Sequence, residues 1–124
     1  STLFPYTTLF RSVEAQALQG LRRFDAAATA YDALARTGPS SLRAQAAFRA
    51  ATLRYQDLHD ARGGLASLEA VDLAASPYAE RALGLRARCQ HASGDVEAAH
   101  RSAERYLTLF PEGGMQQAMQ ALLQ

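Results

Sequence analysis

His59, His91, His100 and Cys89 are the side chains best suited to metal, acid–base or nucleophilic chemistry. A helical zinc site commonly pairs two histidines four residues apart with a further donor, and no two of these histidines have that spacing. A reactive thiol needs a base beside it and surroundings that favour the thiolate. His91 is two residues from Cys89 and therefore on a different helical face. The alanine-rich context of Cys89 suits an inert, buried thiol. His91 reads as the end of a helix, where a partly charged imidazole suits the C-terminal dipole. Gly63-Gly64 and Gly113-Gly114 form no phosphate loop, because the Gly-x-x-x-x-Gly-Lys-Ser/Thr pattern is missing and the chain has no lysine. A Gly-x-Ser-x-Gly elbow is also missing. The expectation is a chain with no catalytic residues, no metal ligands and no cofactor.

Arginine is the remaining chemical resource. All 13 basic residues are Arg, against 12 Asp and Glu, for a net charge of +1. Guanidinium groups bind carboxylates in bidentate fashion, so a basic groove would suit an acidic peptide or a terminal carboxylate. The near-neutral balance, without aromatics interleaved among the arginines, argues against nucleic acid. One cysteine allows no intrachain disulfide. No run of 18 apolar residues is present to span a membrane. At 124 residues, 48% hydrophobic and 20% charged, the chain is the size of one small folded domain and is unlike a disordered segment.

The elements that would position these residues are helices. Alanine accounts for 27 residues and leucine for 17, both strong helix formers. Lys, Asn and Ile are absent together, which points to a GC-rich coding sequence of bacterial or metagenomic type. Breakers divide the chain. Gly38-Pro39 precedes the hydroxyls of Ser40 and Ser41, Ser76 would cap a helix opening at Pro77, Gly94 supplies a left-handed stop before an Asp95 cap, and Pro111 with Gly113-Gly114 ends a further run. These signals predict helices over about 13–22, 25–36, 41–57, 61–74, 77–92, 95–109 and 114–123. Phe48, Ala51, Tyr55 and Leu58 form one apolar stripe, and Ala99, Ala103, Tyr106 and Phe110 another. Small residues between a few large ones let such helices approach closely.

Residues 1–12 stand apart. Ser-Thr-Leu-Phe-Pro-Tyr-Thr-Thr-Leu-Phe-Arg-Ser has no alanine and nearly repeats Thr-Leu-Phe. It resembles, at every position, the conceptual translation of a common short-read sequencing adapter. It lacks the basic start and continuous apolar run of a secretory signal. The expectation is a non-native leader over 1–12 and a helical domain over 13–124 that is truncated at its N-terminus. Leu3, Phe4, Leu9 and Phe10 are apolar enough to lie on the domain's open edge.

Three helix pairs begin near residues 8, 45 and 80. The pattern resembles the tetratricopeptide repeat, two antiparallel helices in about 34 residues with small residues at set positions. Ala15, Leu18, Ala27, Tyr31, Leu34 and Pro39 carry the likeness in the first unit. Phe48, Tyr55, Gly64, Leu68 and Val71 carry it in the second, and Leu83, Ala87, Gly94, Ala99, Ala103, Tyr106 and Pro111 in the third. Tryptophan is absent, Arg86 and Gln90 stand where the repeat has large apolar residues, and His59 stands where it has its turn glycine, which implies a turn residue there. The resemblance implies an all-α solenoid of about three helix-turn-helix repeats, closed by a C-terminal capping helix that brings Met115, Met119, Leu122 and Leu123 onto the last repeat. It implies a non-catalytic scaffold that binds a protein, peptide or helix on its concave face, where Arg49, Gln56, Arg81, Arg88 and His91 would lie. The same arginines could instead pair with nearby acids such as Glu80. An alternative role is assembly or self-association within a larger protein. The run Arg-Tyr-Leu-Thr-Leu-Phe-Pro-Glu-Gly at 105–113 also resembles repeats of bacterial envelope and anti-sigma-type regulatory proteins. That likeness favours a periplasmic or envelope location, with membrane association only through a missing upstream segment.

Overall fold

Alanine at a helix contact removes the bulk that would hold two backbones apart, and the order of the helices follows from that. The computed structural model describes residues 5–124, with side chains from Leu9 onward. Seven helices follow one another: α1 (Pro5–Gly20), α2 (Phe24–Thr37), α3 (Ser40–Gln56), α4 (Ala61–Glu69), α5 (Ala79–Ala92), α6 (Val96–Leu109) and α7 (Gln116–Leu122). No strand occurs among the described residues, so the fold is all-α. Each helix packs mainly on its sequence neighbours, and α3 also meets α5, as α5 meets α7. None of these helices is long and apolar enough to cross a membrane.

Three tight turns join α1 to α2, α3 to α4 and α5 to α6. Each contains one residue in the left-handed region: Arg22 (φ 61°), His59 (φ 52°) and Gly94 (φ 92°). They are 37 and 35 residues apart. At two of these turns the N–H of the next residue reaches the carbonyl five positions back, Arg23 to Leu18 and Asp95 to Gln90, a closure that satisfies the last carbonyls of the outgoing helix. After the His59 and Gly94 turns the next helix is capped by an aspartate, whereas α2 has no side-chain cap. Asp60 accepts from the Gly63 N–H at 2.8 Å, and Asp95 from the Ala98 N–H at 3.1 Å. His59 is therefore a turn residue, held where an L-residue is uncommon.

The core has three parts. Ala27, Ala28, Ala46, Ala47 and Ala50 bring α2 and α3 together around Tyr31, Leu34 and Leu53. Ala51, Leu68, Leu73, Ala82, Leu85 and Cys89 join α3, α4 and α5. Gly64 marks the closest approach there, since a Cβ on it would meet Cys89 Sγ at 3.1 Å and the Ala51 carbonyl oxygen at 3.3 Å. Ala87, Ala103, Tyr106 and Met119 join α5, α6 and α7. Met119 is fully buried, and Met115, Leu122 and Leu123 pack around it, so the tail covers the end of the α5–α6 pair.

Several boundaries differ from those expected, each for a local reason. α4 stops at Glu69 instead of continuing to residue 74. Asp72 Oδ1 accepts from the Ala74 N–H at 3.0 Å, which turns the chain and sends Leu73 into the core at 7% exposure. Ser76 caps no helix. Its hydroxyl donates to the Leu73 carbonyl and accepts from the Tyr78 N–H, so α5 opens at Ala79. Ser40 and Ser41 also cap nothing, because Pro39 holds the N-cap position of α3. Gly38 is extended there (φ −77°). α1 begins at Pro5, where the missing N–H needs no partner, and not near residue 13. Leu9 and Phe10 on that helix are 63% and 70% exposed. Leu3 and Phe4 lie outside the described residues.

Candidate functional site

Two seams run across the helix layer: one between α2 and α4, over α3, and one between α4 and α6, over α5. The first is bridged by polar side chains. Asp32 on α2 accepts from Arg54 Nη2 on α3 at 2.6 Å and from Ser67 Oγ on α4 at 2.8 Å. A second guanidinium nitrogen of Arg54 stands 3.9 Å from Asp60. The Arg54 and Asp32 side chains are only 21% and 19% exposed, so this bridge is partly withdrawn from water.

The second seam is open. α4 has 9 residues where α2 has 14, and the chain after Glu69 folds down toward the core. What remains is a groove of about 780 Å³ between that segment and α6. Leu68, Leu73, Ala82 and Leu83 supply its apolar floor, and Arg86, Arg101 and Arg105 stand around it. Its volume lies within the ~300–1,000 Å³ of ligand clefts. Arg86 reaches Glu69 only at 3.9 Å, with both side chains about half exposed or more. Asp72, the other acid of the groove, is engaged by the Ala74 N–H. Ser102 donates to Gln90 Oε1 at 2.6 Å, which ties α6 to α5 at the base. Arg101 and Arg105, one turn apart on α6, make no hydrogen bond or ion pair among the described residues. A shallower hollow of about 510 Å³ continues over α6 past these arginines and Leu109, which is 53% exposed.

The five residues expected on the concave face are not drawn to one point. Arg49 turns back to α2, donating to the Tyr31 hydroxyl at 3.3 Å with its guanidinium over that ring. Arg81 lies over Phe48 and Tyr78, at 5.1 Å and 4.9 Å from their centroids, and these rings stack on each other. Gln56 and His91 are exposed and Arg88 is half-buried. Arg81 and His91 lie near opposite ends of α5, about 15 Å apart along its axis. Glu80 accepts from the Tyr106 hydroxyl at 2.7 Å and from the Gly114 N–H at 3.1 Å instead of pairing with an arginine. None of the five lines the α4–α6 groove.

The groove was missed in the sequence, although part of its signal was present. Arg86 and Gln90, the two departures from the apolar repeat pattern, both line it. They mark the face of α5 that lies uncovered between α4 and α6. Arg101 and Arg105 carried only their four-residue spacing.

The remaining reactive groups are held quiet. Cys89 is fully buried, and burial, reinforced by the charge of Asp60, pushes its thiol up to about 11. Tyr106 is buried too, and its hydroxyl is raised above its usual value by burial and by its bond to Glu80. His59 and His91 are exposed on separate turns of the chain and His100 is half-buried. No three His, Cys, Asp or Glu side chains gather into a metal-holding group among the described residues. Comparison with protein-family models, curated proteins and solved structures returns no match.

Proposed function

We propose that this chain is a non-catalytic protein-interaction module, built as a tetratricopeptide-like stack of three helical hairpins that binds a peptide or helix of a partner protein. The observation that carries this reading is the recurrence of the left-handed hairpin turn at Arg22, His59 and Gly94. A unit repeated at that spacing buries its apolar face only against its neighbours, so the stack grows in one direction and leaves long surfaces for partners. Cys89 is buried in the core and His59 sits in a hairpin turn, which agrees with a binding role. Selection of random 16-residue peptides displayed against the full chain tests the reading. Enriched peptides that bind saturably in fluorescence anisotropy are expected; a selection that enriches nothing contradicts it.

A second reading, assembly or self-association within a larger envelope or regulatory protein, draws on α1. Leu9, Val13 and Leu21 are each more than 60% exposed on or just after that helix, an apolar surface of the kind found at interfaces. Sedimentation equilibrium separates the two readings: a concentration-dependent dimer lost in Leu9→Ser/Val13→Ser supports the second, and a monomer at all concentrations removes it.

A further inference from the structure

We infer that the α4–α6 groove, on the side of α5 away from the expected concave face, is the docking surface, and that its occupant is an acidic amphipathic segment of a partner protein. This inference rests on the interaction reading above and names the surface and the chemistry of the partner.

Charge complementarity carries it. Arg101 and Arg105 are exposed, have no anionic partner among the described residues, and stand four apart on α6. That is about 6 Å along the helix axis, the same separation as carboxylates at i and i+4 of a docked helix. Arg86, on α5, lines the same groove with only a long contact to Glu69. The groove is lined by three arginines against two acids, Glu69 and Asp72, so cation is in excess there by one charge. Guanidinium groups select carboxylates through paired hydrogen bonds, which favours an acidic over a merely polar occupant.

The apolar lining adds the second requirement. Along the groove Val71, Leu83 and Phe110 are half-buried and Leu109 is 53% exposed, and no element among the described residues covers them. A small anion would satisfy the arginines and leave these side chains wet, whereas an amphipathic segment satisfies both by laying its apolar side chains on them and its acids on α6. Such docking of an apolar face into a groove is a common mode of helix recognition.

The peptides enriched against the full chain provide the probe. Their affinities are measured by anisotropy on the wild type, on Arg101→Glu/Arg105→Glu, and on Arg88→Glu as the concave-face control, after circular dichroism and melting show each variant folded. The expected result is enrichment of Asp or Glu at i, i+4 beside Leu or Phe. Binding should weaken at least tenfold in Arg101→Glu/Arg105→Glu, be regained when the peptide acids are replaced by Lys, and be unchanged in Arg88→Glu. Peptides that lose affinity only in Arg88→Glu would overturn the groove and leave the interaction reading standing. Equal binding by an acidic peptide whose apolar residues are all Ser would overturn the amphipathic occupant. A selection that yields no binder overturns both.

Discussion

The same helix, α4, closes one seam and leaves the other open. Toward α2 it contributes Ser67 to a three-way bridge in which one carboxylate, Asp32, takes both a hydroxyl and a guanidinium. Toward α6 it ends early, and Glu69 meets Arg86 only at 3.9 Å in water. In the reading proposed above, the difference is how a repeated architecture acquires a specific site. Three hairpins with like turns pack in like ways until one helix is shortened, and the uncovered face then becomes a groove. The polar residues of the closed seam bond to one another, whereas Arg101 and Arg105 of the open seam bond to nothing among the described residues.

Substitutions should separate the two seams. The largest effect is expected where the open half has its main anchor. Tyr106 is fully buried beside Met119, donates to Glu80 and accepts from the Met115 N–H, so it ties α5, α6 and α7 together. Tyr106→Ala should cost about 3–5 kcal/mol, as for other large aromatic truncations, measured by urea unfolding. A loss below 1 kcal/mol would mean that the third core does not depend on it. Next, Gly64→Val should cost about 1–3 kcal/mol by overpacking, because its Cβ would press on Cys89 and on the Ala51 carbonyl. A neutral outcome would place α4 farther from α3 and α5 than described.

A matched pair of substitutions probes the seams themselves. Asp32→Ala strands a partly buried guanidinium and a buried hydroxyl, and should cost about 1–2 kcal/mol. Glu69→Ala removes an exposed, long contact and should stay within about 0.5 kcal/mol. Equal losses in the two melts would erase the contrast. The smallest effect concerns pH. The hydroxyl of Tyr106 titrates above its ordinary 10.0 in the fold, so its contribution is complete below pH 10 and is lost as pH rises through the higher folded value. The urea midpoint should therefore fall in that alkaline range, and fall less in Tyr106→Phe. Identical alkaline profiles would remove the linkage.

Helix number and order were legible in the sequence because alanine-rich runs separated by Gly, Pro and Asp leave few alternatives. The Asp95 cap was legible as a local demand on one side chain, and the turn at His59 and the small residue at Gly64 followed from the resemblance to a repeat. Ser76 and α4 were not. The hydroxyl of Ser76 bonds to the turn made by Asp72 and the buried Leu73, a competition that helix propensity does not register. The concave-face residues were placed by resemblance, which fixes a position along a repeat but not where a long side chain turns. Arg49 and Arg81 both turn onto aromatic rings, where they pack and gain a cation–π contact. The groove arises from a length difference between α2 and α4, and its only trace in sequence was polar residues, Arg86 and Gln90, at positions that otherwise call for apolar ones.

The central claim, that the open seam is where a partner binds, is tested most directly by backbone amide shifts of the ¹⁵N-labelled chain titrated with an enriched acidic peptide. The account predicts the largest changes at Leu73, Arg86, Arg101 and Arg105, with Asp32, Arg54 and Ser67 silent. Changes concentrated at Gln56, Arg88 and His91, with α6 unmoved, would contradict it.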